Sequence, residues 1–509
     1  MGIKTVSPTW DNLIPLCLPQ PLEQCSAHSK RLTNTNIIII IIIIKCCGAG
    51  RGVKPIPDGW APLSPQYGMV FDAGSSHTKL FLYEWPAEKE NGTGLVFEIQ
   101  SCEVKGQCSR LPGHYANQPQ EAGNSLRECL DQAMKVIPPA RQRKTPAFLG
   151  ATAGMRLLRW PCPLAPSPGL AKTISCYPVD FRAAQIISGK EEGGYGWLTI
   201  NYLLKSFTEV RLRLSLPAGG GKEVLGALDL GGASTQISFI PHGGVKNPNT
   251  SSSYQLYGRD YSIYTHSYLC YGQDQARKQR MNESSSGGAV PDFKRTVNLG
   301  EELASPCTNQ QSAIQSGPPE RVLRGTGNFD QCQKVVLQIF NFSGCQTEHC
   351  AFNGIYQPPI TGKFYAFSAY YYTFNFLNLI SEENVTEVEN TIRRFCTRSW
   401  DDLRRSYPKE EEKRLQNYCG NAVYILTLLL RGYKFTEANW SSIKFKQHAG
   451  DSEIGWTLGY VLNLTNSIPQ GKKKFIHEFK PWVASIFFIS LVLLVAVVLL
   501  VAVICEKGE

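Results

Sequence analysis

Two stretches of this 509-residue chain carry the same arrangement of residues able to do chemistry. One is Val70-Phe71-Asp72-Ala73-Gly74-Ser75-Ser76-His77-Thr78; the other is Ala227-Leu228-Asp229-Leu230-Gly231-Gly232-Ala233-Ser234-Thr235-Gln236. Each is an apolar run ending in Asp, then a Gly/Ser/Ala turn, then a second run of strand formers, so each predicts strand, turn, strand. Glycine lets the backbone turn tightly and approach a ligand. Bare N–H groups and small hydroxyls make a cradle for anions. An Asp at the mouth of such a cradle cannot sit against phosphate unaided, so it implies a divalent cation or a positioned water. Two such loops facing each other would clamp an oligophosphate. A third feature is the pair Glu191-Glu192, set between Gly189 and Gly193. One carboxylate here could serve as a base, and the residues alone do not choose between the two.

These groups need elements to hold them. Pro146 to Leu158 predicts a buried strand, a small-residue loop and a helix start, with the Thr152 hydroxyl and free N–H groups at the helix N-terminus. Leu126, Leu130, Met134 and Ile137 recur at helical spacing and predict one amphipathic helix over Glu121 to Ile137. The pattern also predicts a helix over Leu198 to Phe207 after the Glu pair, and polar loops over Pro241 to Ser253 and Gln279 to Gly288. A buried helix is expected over Phe364 to Leu379, mostly helical charged sequence over Glu387 to Asn417, and a second buried helix over Ala422 to Leu430. The proline-rich piece from Trp160 to Gly169 cannot be helix.

The chain is long enough for two or three domains with real cores. Its formal charge of +10 is scattered, with no basic stripe interleaved with aromatics, which argues against nucleic acid as a partner. Seventeen cysteines without repeated CxxC pairs accompany seven N-x-S/T sequons, at Asn91, Asn249, Asn282, Asn341, Asn384, Asn439 and Asn463. Together they point to the secretory pathway. Trp482 to Cys505 is apolar and uncharged, long enough for a membrane-spanning helix. Lysines at 472, 473, 474 and 480 against a single Lys507 would place the body in the cytoplasm, but large domains translocate regardless of charge, and the sequons and cysteines place it outside. Ile37 to Ile44 is an isoleucine homopolymer, too short to span a bilayer, and residues 1–55 are set aside as low-complexity sequence.

Five motifs in order, Asp72 to Thr78, Gly150-Ala-Thr-Ala-Gly-Met-Arg156, Gly189-Lys-Glu-Glu-Gly193, Asp229 to Gln236 and Gly455-Trp-Thr-Leu-Gly-Tyr460, resemble the apyrase-conserved regions of the ecto-nucleoside triphosphate diphosphohydrolases. Trp85-Pro-Ala-Glu-Lys-Glu-Asn91 and Cys350-Ala-Phe-Asn-Gly354 further resemble the cell-surface, membrane-anchored members. The likeness runs from about residue 60 to 505. It implies an α/β chain in the actin-like ATPase (RNase-H-like) two-lobe fold, with a C-terminal transmembrane helix. The first part of lobe I would be 56–188, lobe II 189–446, the return and membrane link 447–481, the transmembrane helix 482–505 and the cytoplasmic tail 506–509. It implies Ca2+ or Mg2+ held largely through water by Asp72 and Asp229, and Glu192 as general base. Ser75, Ser76, His77, Thr152, Gly232, Ala233, Ser234, Thr235 and Gln236 would hold phosphate, metal water or the attacking water. Tyr372 and Arg414 would sandwich the nucleobase, and Trp456 matches the aromatic of the fifth motif. Taken alone, Tyr372 reads as a core ring and Arg414 as a surface charge. The resemblance also implies disulfides Cys102–Cys129, Cys270–Cys307, Cys345–Cys350 and Cys396–Cys419.

The chain departs from the family pattern in places. Lys190 stands where Gln is usual, Gln273 stands where Arg is usual, and Cys332 lacks its customary partner. Residues 108–114 and 160–176 do not resemble the family. The expected activity is hydrolysis of extracellular ATP, ADP, UTP and UDP to the monophosphate, at the cell membrane with the body outside, in purinergic signalling. A homo-oligomer is left open. The competing readings are a nucleotide-binding chain with impaired catalysis and an actin-fold sugar kinase, the latter disfavoured by the sequons and the C-terminal anchor.

Overall fold

The computed structural model describes residues 65–105, 119–157, 168–207, 223–245, 247–285, 302–316, 321–345, 349–469, 489–490 and 493–494. The chain divides into a unit of Leu63–Gly471 and a second unit of Met1–Pro62 with Lys472–Glu509. In the second unit only residues 489, 490, 493 and 494 are described, all helical. The rest of the expected membrane segment, the isoleucine run and the proline-rich piece up to residue 167 lie outside the described residues; Pro168 and Gly169, expected to be non-helical, instead open a helix over Pro168–Ser175, where proline is tolerated in the first turn. Among the described residues no helix is long and apolar enough to cross a membrane.

The larger unit is built on two mixed sheets. The first contains β1 (Gln66–Ala73), β2 (Thr78–Trp85), β3 (Phe97–Glu103), β4 (Pro146–Ala151) and β5 (Asp180–Ile186), in the order β3-β2-β1-β4-β5. β1 is antiparallel to β2 and parallel to β4. Its apolar stretch from Tyr67 to Phe71 is buried throughout, as suits a central strand covered on both faces. The second contains β6 (Gly226–Leu230), β7 (Ser234–Phe239), β8 (Ser251–Leu256), β9 (Arg259–Leu269), β13 (Phe364–Ser368) and β14 (Ile443–Phe445), in the order β14-β13-β6-β7-β9-β8. A small sheet of β10 (Glu302–Ser305), β11 (Ala313–Ser316) and β12 (Arg321–Gly325) and a hairpin of β15 (His448–Ala449) and β16 (Ser452–Glu453) complete the strands. With β8 set aside, the second sheet repeats the first strand for strand: antiparallel β6, β7 and β9, then parallel β13 and β14. The likeness of the two Asp loops is therefore a likeness of whole sheets, and each loop is the hairpin beside the central strand.

The helices that matter here are α1 (Pro119–Ser125), α2 (Arg127–Val136), α3 (Ala153–Arg156), α4 (Gly189–Leu203), α5 (Gln273–Ser285), α6 (Phe329–Leu337), α7 (Ala369–Phe376), α8 (Val385–Thr397), α9 (Trp400–Ser406), α10 (Glu412–Leu415), α11 (Tyr418–Thr427) and α12 (Trp456–Thr465). One core lies between the first sheet and α2, around Leu80, Leu82 and Leu130. A second gathers Trp85, Trp197, Trp456 and Leu458, where α4 and α12 pack against the strands. The third, with Tyr370, Phe374, Tyr424 and Tyr433, fills the second sheet's helical side.

Several elements differ from expectation. The helix expected from Leu198 begins at Gly189. Its glycines lower intrinsic propensity, but a capping box overrides them: the Ser188 hydroxyl accepts the Glu191 N–H at 3.2 Å, and the Glu191 carboxylate accepts the Ser188 N–H at 2.9 Å. The single helix over Glu121 to Ile137 is two, α1 and α2, broken at Leu126. The expected polar loop at Gln279 is helical through Ser285; α5 is charged on every side and so leaves no periodic signal. β8 occupies the end of the other expected loop. Phe364–Ser368 is a strand rather than helix, because it docks as a parallel neighbour of β6, and Ser368, at φ 57°, turns the chain into α7.

Disulfides Cys102–Cys129, Cys345–Cys350 and Cys396–Cys419 are present. The expected Cys270–Cys307 bond is not. Cys307 pairs with Cys332 of α6, whose Cα lies 4.7 Å away, and Cys270 is a free thiol. Cys270 is held elsewhere, its N–H on the Ala233 carbonyl and its carbonyl on the Gln279 amide.

Candidate active site

The two loops meet. In the first, Asp72 faces Lys79 across the hairpin, and the Gly74 N–H closes the turn on the His77 carbonyl at 3.0 Å. In the second, Asp229 faces Gln236, and the Gly231 N–H closes on the Ser234 carbonyl at 3.0 Å. A Cβ on Gly232 would stand 2.7 Å from the Ser75 hydroxyl oxygen, so the two loops approach closely here. Ser76 and His77 are exposed at the first tip, joined by a 3.0 Å contact.

The second loop is braced from behind. N–H groups of Gln273, Asp274 and Gln275, at the start of α5, donate to the Gly231 and Gly232 carbonyls at 2.8, 2.9 and 3.2 Å. The Thr235 hydroxyl donates to the Asp229 carbonyl at 2.7 Å and meets the Tyr370 and Tyr433 hydroxyls at 3.1 Å each. Thr235 therefore points into the core, while Ser234 and Gln236, its neighbours in a strand of period two, share the other face. Tyr433 is delivered by a π-helical turn, Leu428–Gly432, at the end of α11.

Glu192, in the first turn of α4, is buried on the face shared by Ser234 and Gln236. Its Oε2 accepts Gln236 Nε2 at 3.1 Å and forms an ion pair with Arg156 Nη2. Gln236 Nε2 also reaches Ser234 Oγ at 2.7 Å and Ser267 Oγ at 2.9 Å, and Arg156 Nη2 reaches Ser234 Oγ at 3.2 Å. Glu191 is exposed and occupied in the helix cap, so the folded chain distinguishes two carboxylates that the sequence left open.

Asp72 and Asp229 are half-buried, yet Oδ1 of each is sealed from solvent with no hydrogen-bond partner, as is Gln236 Oε1. Burial pushes Asp72 up to about 7, with the Asp229 and Glu453 charges adding and the Trp456 indole and Lys79 opposing. Burial likewise pushes Asp229 up to about 6, opposed by the Ser368 side chain and the Leu230 backbone. Glu192 rises to about 8 by burial, with Asp229 and Asp72 adding and Arg156 opposing. Carboxyls crowded so in a dry site gain most from a nearby cation. Among the described residues no three His, Cys, Asp or Glu side chains converge as a direct metal cage. Two orphaned carboxylate oxygens are hard donors of the kind a divalent cation such as Ca2+ or Mg2+ takes.

The other expected residues lie in different settings. Thr152 is buried; its N–H reaches the Ala73 carbonyl at 3.2 Å and ties the first loop to β4. The Ala233 carbonyl is taken by Cys270. Trp456 is buried beneath the loops, and a Cβ on Gly150 would come within 2.3 Å of its ring, so these two motifs fit each other in the core. Tyr372, on α7, is 48% exposed rather than a core ring, and donates to Glu453 Oε1 at 3.4 Å. Arg414, on α10, is exposed and pairs with Glu411 at 3.3 Å. Arg156 and Ser267 were missed by sequence reasoning. Arg156 stood in view as the last residue of the second motif; Ser267, in the middle of β9, carried no signal.

Residues 61–478 match the GDA1/CD39 (nucleoside phosphatase) family. Over 480 residues the chain is 44% identical to ectonucleoside triphosphate diphosphohydrolase 8 of Gallus gallus, covering 91% of this chain and 95% of that one. It is 43% identical over 470 residues to ectonucleoside triphosphate diphosphohydrolase 1 of Mus musculus, covering 86% and 89%. The fold is shared with a solved structure of nucleoside triphosphate hydrolases from Neospora caninum, at a TM-score of 0.53 and 14% identity, over 79% of this chain and 93% of that one.

Proposed function

The chain belongs to the GDA1/CD39 (nucleoside phosphatase) family, and from that premise we propose that it is a divalent-cation-dependent ectonucleotidase, cleaving extracellular ATP, ADP, UTP and UDP to the monophosphate and phosphate. The observation that carries this reading is Glu192, buried and joined through Gln236 and Ser234 to the loop that bears Asp229.

The terminal phosphate lies between the two loops, against their backbone N–H groups and the Ser75 and Ser234 hydroxyls. Gln236 and Ser234 orient a water, and Glu192 takes its proton as the water oxygen attacks phosphorus. The O–P bond forms as the phosphoanhydride P–O bond breaks, and the shortened nucleotide leaves with the electron pair. Asp72 and Asp229 would hold Ca2+ or Mg2+, which would supply charge neutralisation on the phosphate oxygens. Arg156 opposes the rise that burial imposes on Glu192, and so favours its ionised form, and aligns the carboxylate. Tyr372 and Arg414 hold the base by stacking, which tolerates purines and pyrimidines alike.

In this reading the two sheets are the two lobes of an actin-like ATPase, with boundaries near residues 189 and 447. Residues 482–505 anchor the chain in the cell membrane with the body outside, where it acts in purinergic signalling. The test is phosphate release from ATP and ADP by the full-length chain in a secretory host, with Ca2+ and then with chelator. Release from both that stops on chelation is expected. Nucleotide binding without release would instead favour a catalytically impaired chain.

A further inference from the structure

Glu453 contacts residues at both ends of the nucleotide pose, Lys79 and Tyr372, and the pose leaves it without a role. It sits on the β15–β16 hairpin, three residues before Trp456. Its Oε2 forms an ion pair with Lys79 Nζ, and its Oε1 accepts the Tyr372 hydroxyl at 3.4 Å. Gln447 Nε2, from the same return segment, reaches that hydroxyl at 3.3 Å. Lys79 is the residue directly opposite Asp72 across the first hairpin, and its ammonium lies 5.1 Å from the Phe81 ring centroid. Tyr372 belongs to α7, which follows β13 of the other sheet. The side chains of Lys79 and Glu453 are 21% and 29% exposed, enough shielding for the pair to outlast ordinary ionic strength.

We propose that Glu453 is a positioning residue that couples base binding to the phosphate site, one carboxylate oxygen fixing Lys79 beside Asp72 while the other fixes Tyr372. This rests on the nucleotide pose given under Proposed function. A base stacking on Tyr372 fixes its hydroxyl and so the Glu453 carboxylate. That in turn holds Lys79 in one position opposite Asp72, so a nucleotide organises the phosphate end better than a bare polyphosphate does. Coupling of this kind needs a shared group with two partners, and the carboxylate supplies it.

The experiment is a double-mutant cycle of K79M and Y372F on the full-length chain, read as kcat/KM for ATP and repeated in an E453Q background. The two substitutions are expected to be non-additive by about fivefold when Glu453 is present, and additive within about twofold in the E453Q background. The same cycle, read as inhibition by inorganic tripolyphosphate, is expected to show no coupling, because that probe has no base. Coupling that survives E453Q, is absent with Glu453 present, or is equal for tripolyphosphate overturns the proposal. If ATP and ADP release no phosphate at all, the nucleotide reading fails first and takes this inference with it. Hydrolysis without the predicted coupling removes this inference alone.

Discussion

The first sheet and five of the six strands of the second have the same order and directions, yet their hairpins differ in what supports them. The first loop ends in an exposed Ser76-His77 tip, tied to β4 through Thr152. The second has no such tip; it is held by three N–H groups of α5 and by the Tyr370 and Tyr433 hydroxyls through Thr235. Opposite the loop Asp stands Lys79 in one sheet and Gln236 in the other. The helices that follow the fourth strand diverge as well. Arg156 and Tyr372 each stand four residues past the cap of their helix, and one reaches Glu192 while the other reaches Glu453. Duplicated topology thus fixes where side chains stand, and the side chains make the two loops unequal: the braced loop carries the groups bonded to Glu192, and the other ends in an exposed tip.

Glu192→Gln removes the proposed base, and is expected to lower kcat about a thousandfold or more while calorimetry shows nucleotide binding retained. Normal turnover would move the base elsewhere and void the comparison. Gln236→Ala and Lys79→Ala probe matched positions: the first should lower kcat about a hundredfold and the second less than tenfold, and equal losses would mean that the halves share the work. Arg156→Met should shift the acid limb of the kcat profile upward by about one pH unit, because activity needs Glu192 ionised and Arg156 favours that form. Thr235→Val should cost about 1–2 kcal/mol in denaturant unfolding with a smaller effect on kcat, since its bonds brace the loop from the core side.

A last measurement treats the carboxyls together. Burial holds Asp229, Asp72 and Glu192 at about 6, 7 and 8, above ordinary values of 3.8, 3.8 and 4.5. The folded cation-free chain therefore keeps protons that the unfolded chain releases, so stability is fullest below about pH 4 from these groups and is lost as pH rises to about 8. The Tm of chelated protein should fall across that window, and Ca2+ added at its upper end should raise it.

Much of the site could be read from residue order. Both hairpins fall where the Asp-Gly runs end, because turn chemistry and strand propensity agree there. The direction of Thr235 follows from strand alternation, and the Ser188-to-Glu191 spacing is a capping-box signature that could have separated Glu191 from Glu192. What escaped reading depends on tertiary contacts. The Arg156 to Glu192 pair joins positions 36 residues apart. Ser368 adopts a left-handed backbone that nothing in its neighbourhood demands, and α5 lacks an apolar face. Cys332 stands in for the expected partner of Cys307 only once α6 is packed.

The N–H groups of Gln273, Asp274 and Gln275 all donate into the second loop. An amide shielded this way cannot trade its hydrogen for deuterium until the turn that receives it lets go. Exchange at these three positions, at the start of α5, therefore times how often the second loop opens.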